Sequence, residues 1–173
     1  MDPLASPPDL VLRSATAADI PAVQRLAERT WRAHYPAILS AAQIDYMLAR
    51  GYARPALERF IDGPASGIEL ADSGATLAGF AAWLLVPEQQ ETKLDKLYVD
   101  PDRQRSGIGG ALIRVVEQRA RDLGARGVIL NVNRYNTSAQ AAYARAGFTV
   151  RDAVVVDIGE GFVMDDYVMA RPL

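Results

Sequence analysis

Three glycines and two arginines crowd into RQRSGIGGAL, residues 103–112, between the strand-like LDKLYVD and a long helical pattern. The first amides of a helix have no partner within it, and here they fall near Gly107 to Gly110, where side chains are smallest. Glycine lets the chain turn tightly and lets a ligand approach the backbone. Outward amides and the helix dipole together favour an anion, phosphate being the usual guest. Arg103 and Arg105 add charge beside it, and arginine forks onto phosphate oxygens. A plain glycine-rich turn with solubilising arginines is the alternative reading of these residues alone. Two nucleotide readings fail on residue identity. A Walker loop needs a lysine followed by a hydroxyl, and the dinucleotide fingerprint needs a third glycine where Leu112 stands.

The rest of the reactive inventory is small. The chain has 173 residues, no cysteine and one histidine, His34. Disulfide scaffolds, thiolate zinc sites, cysteine nucleophiles and histidine-rich metal sites are thereby excluded, and no metal is expected. The formal net charge of -2 gives no global basic bias, so a nucleic-acid partner is not expected. MDPLASPPDLVL lacks the basic start and apolar run of a signal peptide. GFAAWLLVP is far too short to span a bilayer, so a soluble, cytoplasmic protein with no membrane partner is expected.

The elements that must position these residues follow from spacing. Residues 1–8 read as a flexible, proline-rich segment, and 9–173 as one domain, large enough to bury about two thirds of its unfolded surface. DLVLRSAT reads as a strand, and Thr16 with Asp19 as a capping box. Ile20, Val23, Ala27 and Trp31 recur at helical spacing, predicting a helix from 18 to about 34 whose face His34 and Tyr35 extend. Residues 40–63 are helical, broken near Gly51 or Pro55 into two short helices. Strands are predicted at 67–72, 76–86, 93–100, 127–133, 149–158 and 162–170. The Ile108, Leu112, Val116, Ala120 and Leu123 stripe makes one helix; Ala139, Ala142, Tyr143 and Ala146 make another, with Asn136 or Thr137 as its cap. This order does not suit a doubly wound parallel sheet. It predicts an α/β (α+β) domain whose central twisted sheet is mostly antiparallel, with helices on both faces and one right-handed β-α-β crossover over 93–133.

With its flanks, the glycine bend resembles the signature of the GNAT superfamily of acyl-coenzyme A-dependent N-acyltransferases, [Q/R]-x-x-G-x-[G/A] after the fourth strand. Here those positions are Gln104, Gly107 and Gly109. A second block, NTSAQAAYARAGF, is similar to the family's second motif through Asn136, Ala139, Tyr143, Gly147 and Phe148. The resemblance spans nearly the whole chain and is weakest from 36 to 65. It implies acetyl-coenzyme A as co-substrate, its pyrophosphate held by the amides of Arg105, Ser106, Gly107, Ile108, Gly109 and Gly110. It implies a fourth and fifth strand splayed apart, freeing the backbone at Leu97, Tyr98 and Val99 for the pantetheine arm. Tyr143 becomes the general acid for the departing thiolate, Asn136 a cofactor contact or a cap, and Ala139 a small residue leaving the cofactor room.

An ammonium ion must lose a proton before its nitrogen can attack a thioester. Asp95, on the fourth strand and expected on one face with Leu97 and Val99, is the leading base, the alternative being a strand carboxylate paired with Lys93 or Lys96. His34 is the second candidate, the alternative being a partner for the C-terminal dipole of the first helix. Trp31 and Tyr35 read as acceptor-pocket wall or as core. Asp157, Glu160, Asp165 and Asp166 cluster around the last hairpin, an ending that resembles those of polyamine-type and small-amine members. An acidic rim would attract a cationic acceptor; the alternative is a solvated hairpin with acidic residues at its turn. The expected reaction is acetyl transfer to a primary amine, on a small molecule or a peptide, by direct attack in a ternary complex. The alternative is an acyl-coenzyme A-binding module without transfer. Pairing of two copies through the C-terminal strands is compatible with the resemblance.

Overall fold

The computed structural model describes residues 9–173; the proline-rich segment 1–8 lies outside them. Seven strands form one sheet: β1 (Leu10–Ser14), β2 (Ser66–Ser73), β3 (Thr76–Val86), β4 (Glu91–Val99), β5 (Gly127–Asn133), β6 (Thr149–Gly159) and β7 (Phe162–Pro172). Their order is β1-β2-β3-β4-β5-β7-β6. Every neighbouring pair is antiparallel except β4 and β5. The mixed fold with a mostly antiparallel sheet, one parallel pair and flanking helices is the one the sequence predicts.

The helices are α1 (Ile20–His34), α2 (Ala41–Gly51), α3 (Arg54–Ile61), α4 (Ile108–Asp122) and α5 (Thr137–Arg145). The predicted capping box is present: Thr16 N donates to Asp19 Oδ2 at 2.8 Å. It opens a short 3-10 turn, Ala17–Asp19, so α1 begins two residues later than spacing alone suggests. The sheet separates two cores. Ile20, Val23, Trp31, Leu57, Leu70 and Phe80 are buried under α1 and α3, and Leu112, Val116, Val128, Leu130, Phe148 and Met169 under α4. At about 25 cal/mol per Å² of apolar surface removed from water, these faces are the main stabilising contribution.

Two departures from regular pairing shape the site. β4 and β5 pair only through Glu91, Thr92 and Lys93 against Gly127, Val128 and Ile129. Beyond Lys93 the parallel ladder stops and β4 has a free edge. On the other side of β4 the register to β3 shifts: Ala82 faces Lys96 and Trp83 faces Leu94, so Asp95 is an inserted residue. Such a bulge leaves one residue unpaired and re-aims the chain after it.

Candidate functional site

Asp100 N donates to Ala78 O at 2.8 Å, so the amide of Asp100 points toward β3. Main-chain groups alternate sides along a strand, which turns the N–H and C=O of Leu97 and Val99 to the free edge and those of Tyr98 to β3. Of the three backbone positions expected to pair with a ligand, Leu97 and Val99 therefore present the edge. Tyr98 serves the site through its side chain.

At the same end of β4 the chain turns into α4. Arg105 and Gly107 both take left-handed φ, 61° and 84°. Gly107 is the N-cap and offers no side chain, and the first helical bond runs from Ala111 N to Gly107 O at 3.0 Å. The amides of Ile108, Gly109 and Gly110 thus have no acceptor within the helix. Packing does not require glycine at the last two. A Cβ on Gly109 would meet Val99 Cγ2 at 3.8 Å, and one on Gly110 would meet Arg114 Nη1 at 3.5 Å, both ordinary contacts. Glycine in a helix costs up to about 1 kcal/mol relative to alanine, so an open approach to these amides accounts for the pair. Arg103 is occupied, donating to Ser73 Oγ at 2.6 Å. Gln104, Arg105 and Ser106 are exposed at the mouth.

Across the gap, Asn136 caps α5, its Oδ1 accepting from Ala139 N at 3.2 Å. That decides the cap in favour of Asn136 over Thr137. The same oxygen lies 2.9 Å from His34 Nε2. Because the oxygen only accepts, Nε2 carries the hydrogen and His34 ties the end of α1 to the start of α5. Tyr143 lies one turn beyond Ala139, half-buried, its ring edge-on to Phe148 at 5.9 Å. Its hydroxyl has no hydrogen-bond partner among the described residues. Burial pushes the Tyr143 hydroxyl above its ordinary value, so it keeps its proton at neutral pH.

Tyr35 caps the end of α1 and packs on the α1 side of the sheet. Its ring stacks on Trp31 at 4.3 Å, and its hydroxyl lies among the side chains of Tyr98 and Asn136, which partly offset its burial. Tyr98 packs against Tyr52, ring centroids 6.2 Å apart, and the Tyr52 hydroxyl accepts from Trp31 Nε1 at 3.1 Å. Burial raises all three hydroxyls above the ordinary tyrosine range. Trp31 is 3% exposed and backs Tyr35 as packing. Tyr52 and Tyr98 were not singled out from the sequence as hydroxyl donors. Both sit at positions where spacing alone reads only core.

The expectation that Asp95 shares a face with Leu97 and Val99 needs correcting. The bulge breaks simple alternation. Leu97 and Val99 pack toward α4, whereas the Asp95 carboxylate meets Lys96 Nζ at 2.9 Å and Lys93 Nζ at 3.5 Å. Lys96 Nζ in turn lies over the rings of Tyr52 and Phe60, at 4.9 and 5.4 Å, on the α1 side. Burial pushes the Asp95 carboxyl up, but the two ammonium groups outweigh it and hold it below its ordinary value. A carboxylate stabilised in this way is a weaker base. Asp165 is paired with Arg134 at 2.9 Å. Asp166 is 7% exposed and its Oδ1 has no partner among the described residues.

No group of three or more metal-ligating side chains occurs among the described residues, and no described helix is long and apolar enough to cross a membrane. The chain is 28% identical over 148 residues to an uncharacterised N-acetyltransferase of Mycobacterium tuberculosis, covering 86% of this chain and 94% of the relative. A mycothiol acetyltransferase of Catenulispora acidiphila is 38% identical over 96 residues, 52% of this chain and 30% of that one. Among solved structures, the PaiA N-acetyltransferase of Thermoplasma acidophilum in complex with coenzyme A superposes with a TM-score of 0.82 at 22% identity, covering 95% of this chain and 99% of that one. The ribosomal-protein-S18-alanine N-acetyltransferase of Escherichia coli gives 0.70 at 22% identity, over 94% and 93%. Residues 21–148, which hold the open strand edge, the glycine turn and the Asn136–Tyr143 helix, match the family described as Acetyltransferase (GNAT), and the chain belongs to that family.

Proposed function

We propose that this protein transfers an acetyl group from acetyl-coenzyme A to a primary amine by direct attack within a ternary complex. One observation carries the reading. The ladder between β4 and β5 stops at Lys93, and the freed edge at Leu97 and Val99 leads straight into the uncapped, glycine-lined start of α4. A pantetheine arm carries two amides, which an unpaired strand edge can hydrogen-bond as it would an added strand. A diphosphate suits three unpartnered amides at a helix start, with Arg105 exposed nearby. The residues present therefore fit the co-substrate.

The chain's own groups supply the remaining chemistry. The free-edge amide at Leu97 or Val99 can donate to a carbonyl on which negative charge develops during attack. Tyr143, protonated and unpartnered, is the proton donor for the leaving thiolate. His34 and Asn136 hold the helix that carries it. Tyr35, at the end of α1, forms a wall of the space where an acceptor would lie.

Two measurements test the proposal. Calorimetric titration with coenzyme A should give one site per chain, and acetyl-coenzyme A with a primary-amine panel should release free thiol together with acetylated amine. Tight binding without any acetylated amine would instead support a module that recognises the acyl carrier. Absence of binding would refute both.

A further inference from the structure

Asp166 lies on the α1 face of the sheet, whereas Asp165 shares the α4 face with Tyr167 and Met169. Asp95 and Asp165 are already paired. Asp95 is held by Lys96 and Lys93, and Asp165 by Arg134. Asp166 differs. It is 7% exposed, and its Oδ1 has no hydrogen-bond partner among the described residues. A buried carboxyl oxygen without a donor is costly, by about 1–3 kcal/mol or more, so a group kept in that state invites a ligand or a proton.

Its placement selects the ligand. Asp166 stands on β7 opposite Asn133, at the end of β5 that lies beyond the last parallel pair. Asn131 occupies the same face of β5, and it is exposed. The carboxyl group is therefore one side chain below the surface. The groups near enough to act on its charge are Tyr35 from the end of α1, Lys93 from β4, Asn131 from β5 and the neighbouring Asp165. Tyr35 is near enough to act electrostatically on both Asp166 and Tyr143, and Asn133, opposite Asp166, lies three residues before Asn136, the cap of the helix that carries Tyr143. Resting on the reading above, we propose that Asp166 receives the ammonium group of the acceptor and takes the proton that must leave before its nitrogen attacks.

The step balances. One N–H proton passes from the ammonium to the Asp166 carboxylate, and the freed lone pair forms a C–N bond at the thioester carbonyl. The C–S bond breaks, the thiolate takes the proton of Tyr143, and the second proton lost by the nitrogen returns to the tyrosine oxygen. The proton left on Asp166 goes to water. Burial, acting with the nearby Asp165 and against Asn131 and Lys93, raises the Asp166 carboxyl above its ordinary value. A higher pKa makes the carboxylate a better base near neutrality.

The test compares the full-length protein with Asp166→Asn, Asp166→Glu and, as a control, Asp165→Asn. Spermidine, tyramine, glucosamine and an alanine-initiated hexapeptide serve as acceptors. For any amine the wild type acetylates, Asp166→Asn should lower kcat/KM by about 100- to 10,000-fold and remove the acidic limb of its pH profile. Coenzyme A affinity should stay within about twofold, and Asp166→Glu should recover part of the loss. An Asn variant within about threefold of wild type, or one that keeps the acidic limb, overturns the proposal. If the wild type binds coenzyme A but acetylates none of the four, carbon-13 NMR of labelled aspartate provides the reading. The carboxyl signal missing from Asp166→Asn should shift with at least one amine, and failure to shift with all four overturns the proposal. Failure of the wild type to bind coenzyme A would refute the function itself, a separate outcome.

Discussion

Replacing Gly109 and Gly110 together by alanine separates two reasons for starting a helix with glycine. If the glycines relieve crowding, alanine should destabilise. The distances say otherwise: the new methyl groups would sit 3.8 Å from Val99 Cγ2 and 3.5 Å from Arg114 Nη1. Neither contact forces a shift, so the change should stabilise by about 0.4–1 kcal/mol per site through helix propensity and a less disordered unfolded chain. For a chain of this length that is a melting rise of about 2–8 °C. Cβ atoms tilt toward the helix N-terminus, into the space in front of the open amides. Loss of one charge-assisted amide bond costs about 1.5–3 kcal/mol, or roughly 10- to 100-fold in affinity. The double variant should thus melt higher and bind coenzyme A more weakly. Differential scanning fluorimetry without ligand and calorimetric titration with coenzyme A read the two effects separately. A raised melting temperature with unchanged coenzyme A affinity would refute the assignment of these amides, and a lowered one would refute the packing argument.

Tyr143→Phe removes the unpartnered hydroxyl while keeping the ring against Phe148, so kcat should fall about 100-fold or more at unchanged coenzyme A affinity in steady-state assays. Asn136→Ala removes the cap of α5 and the acceptor for His34, and should lower stability by about 1 kcal/mol, a fall of roughly 2–4 °C in melting temperature. Tyr98→Phe keeps the ring and the main chain but removes the hydroxyl that lies beside those of Tyr35 and Tyr52. KM for the amine should rise while coenzyme A titration is unaltered. The raised pKa of Asp166 fixes a sign for stability. The folded state holds that proton more tightly than the unfolded state, so the group's stabilising contribution is present in acid and lost as pH rises through its folded pKa. Asp166→Asn should therefore gain melting temperature over wild type progressively from pH 4 to pH 8, and a gap independent of pH would refute the shift.

The two motif blocks were legible because their chemistry depends on main chain and on fixed spacing. Gly107 must take φ 84°, and Asn136 must precede its helix, so residue identity carries the geometry. The alternating strands and the stripe on α4 were legible for the same reason. Asp95 was not, because a one-residue bulge leaves no mark in hydrophobic spacing: Lys93, Leu94, Asp95 and Lys96 read equally well with or without it. The tyrosine chain was hidden for a different reason. Tyr35, Tyr52 and Tyr98 come from three separate elements, and nothing local indicates that their hydroxyls converge. Asp166 could be seen as one acidic residue of a cluster. Only burial and the loss of competing partners distinguish it from Asp165 beside it.

The bulge and the broken ladder belong to one design. Pairing on the β3 side must slip by a residue for Tyr98 to turn its ring toward α1 while Leu97 and Val99 pack toward α4. Those same residues carry the main-chain groups left free where β5 departs. Tyr98 thus connects the edge proposed for the acyl carrier to Tyr35, the wall proposed for the acceptor. A shift of β4 that tightened contact with one substrate would move the wall facing the other, because no flexible segment lies between them. Juxtaposing two reactants to within attacking distance supplies much of the rate gain in a direct transfer, and a shared rigid strand is a direct way to set that distance.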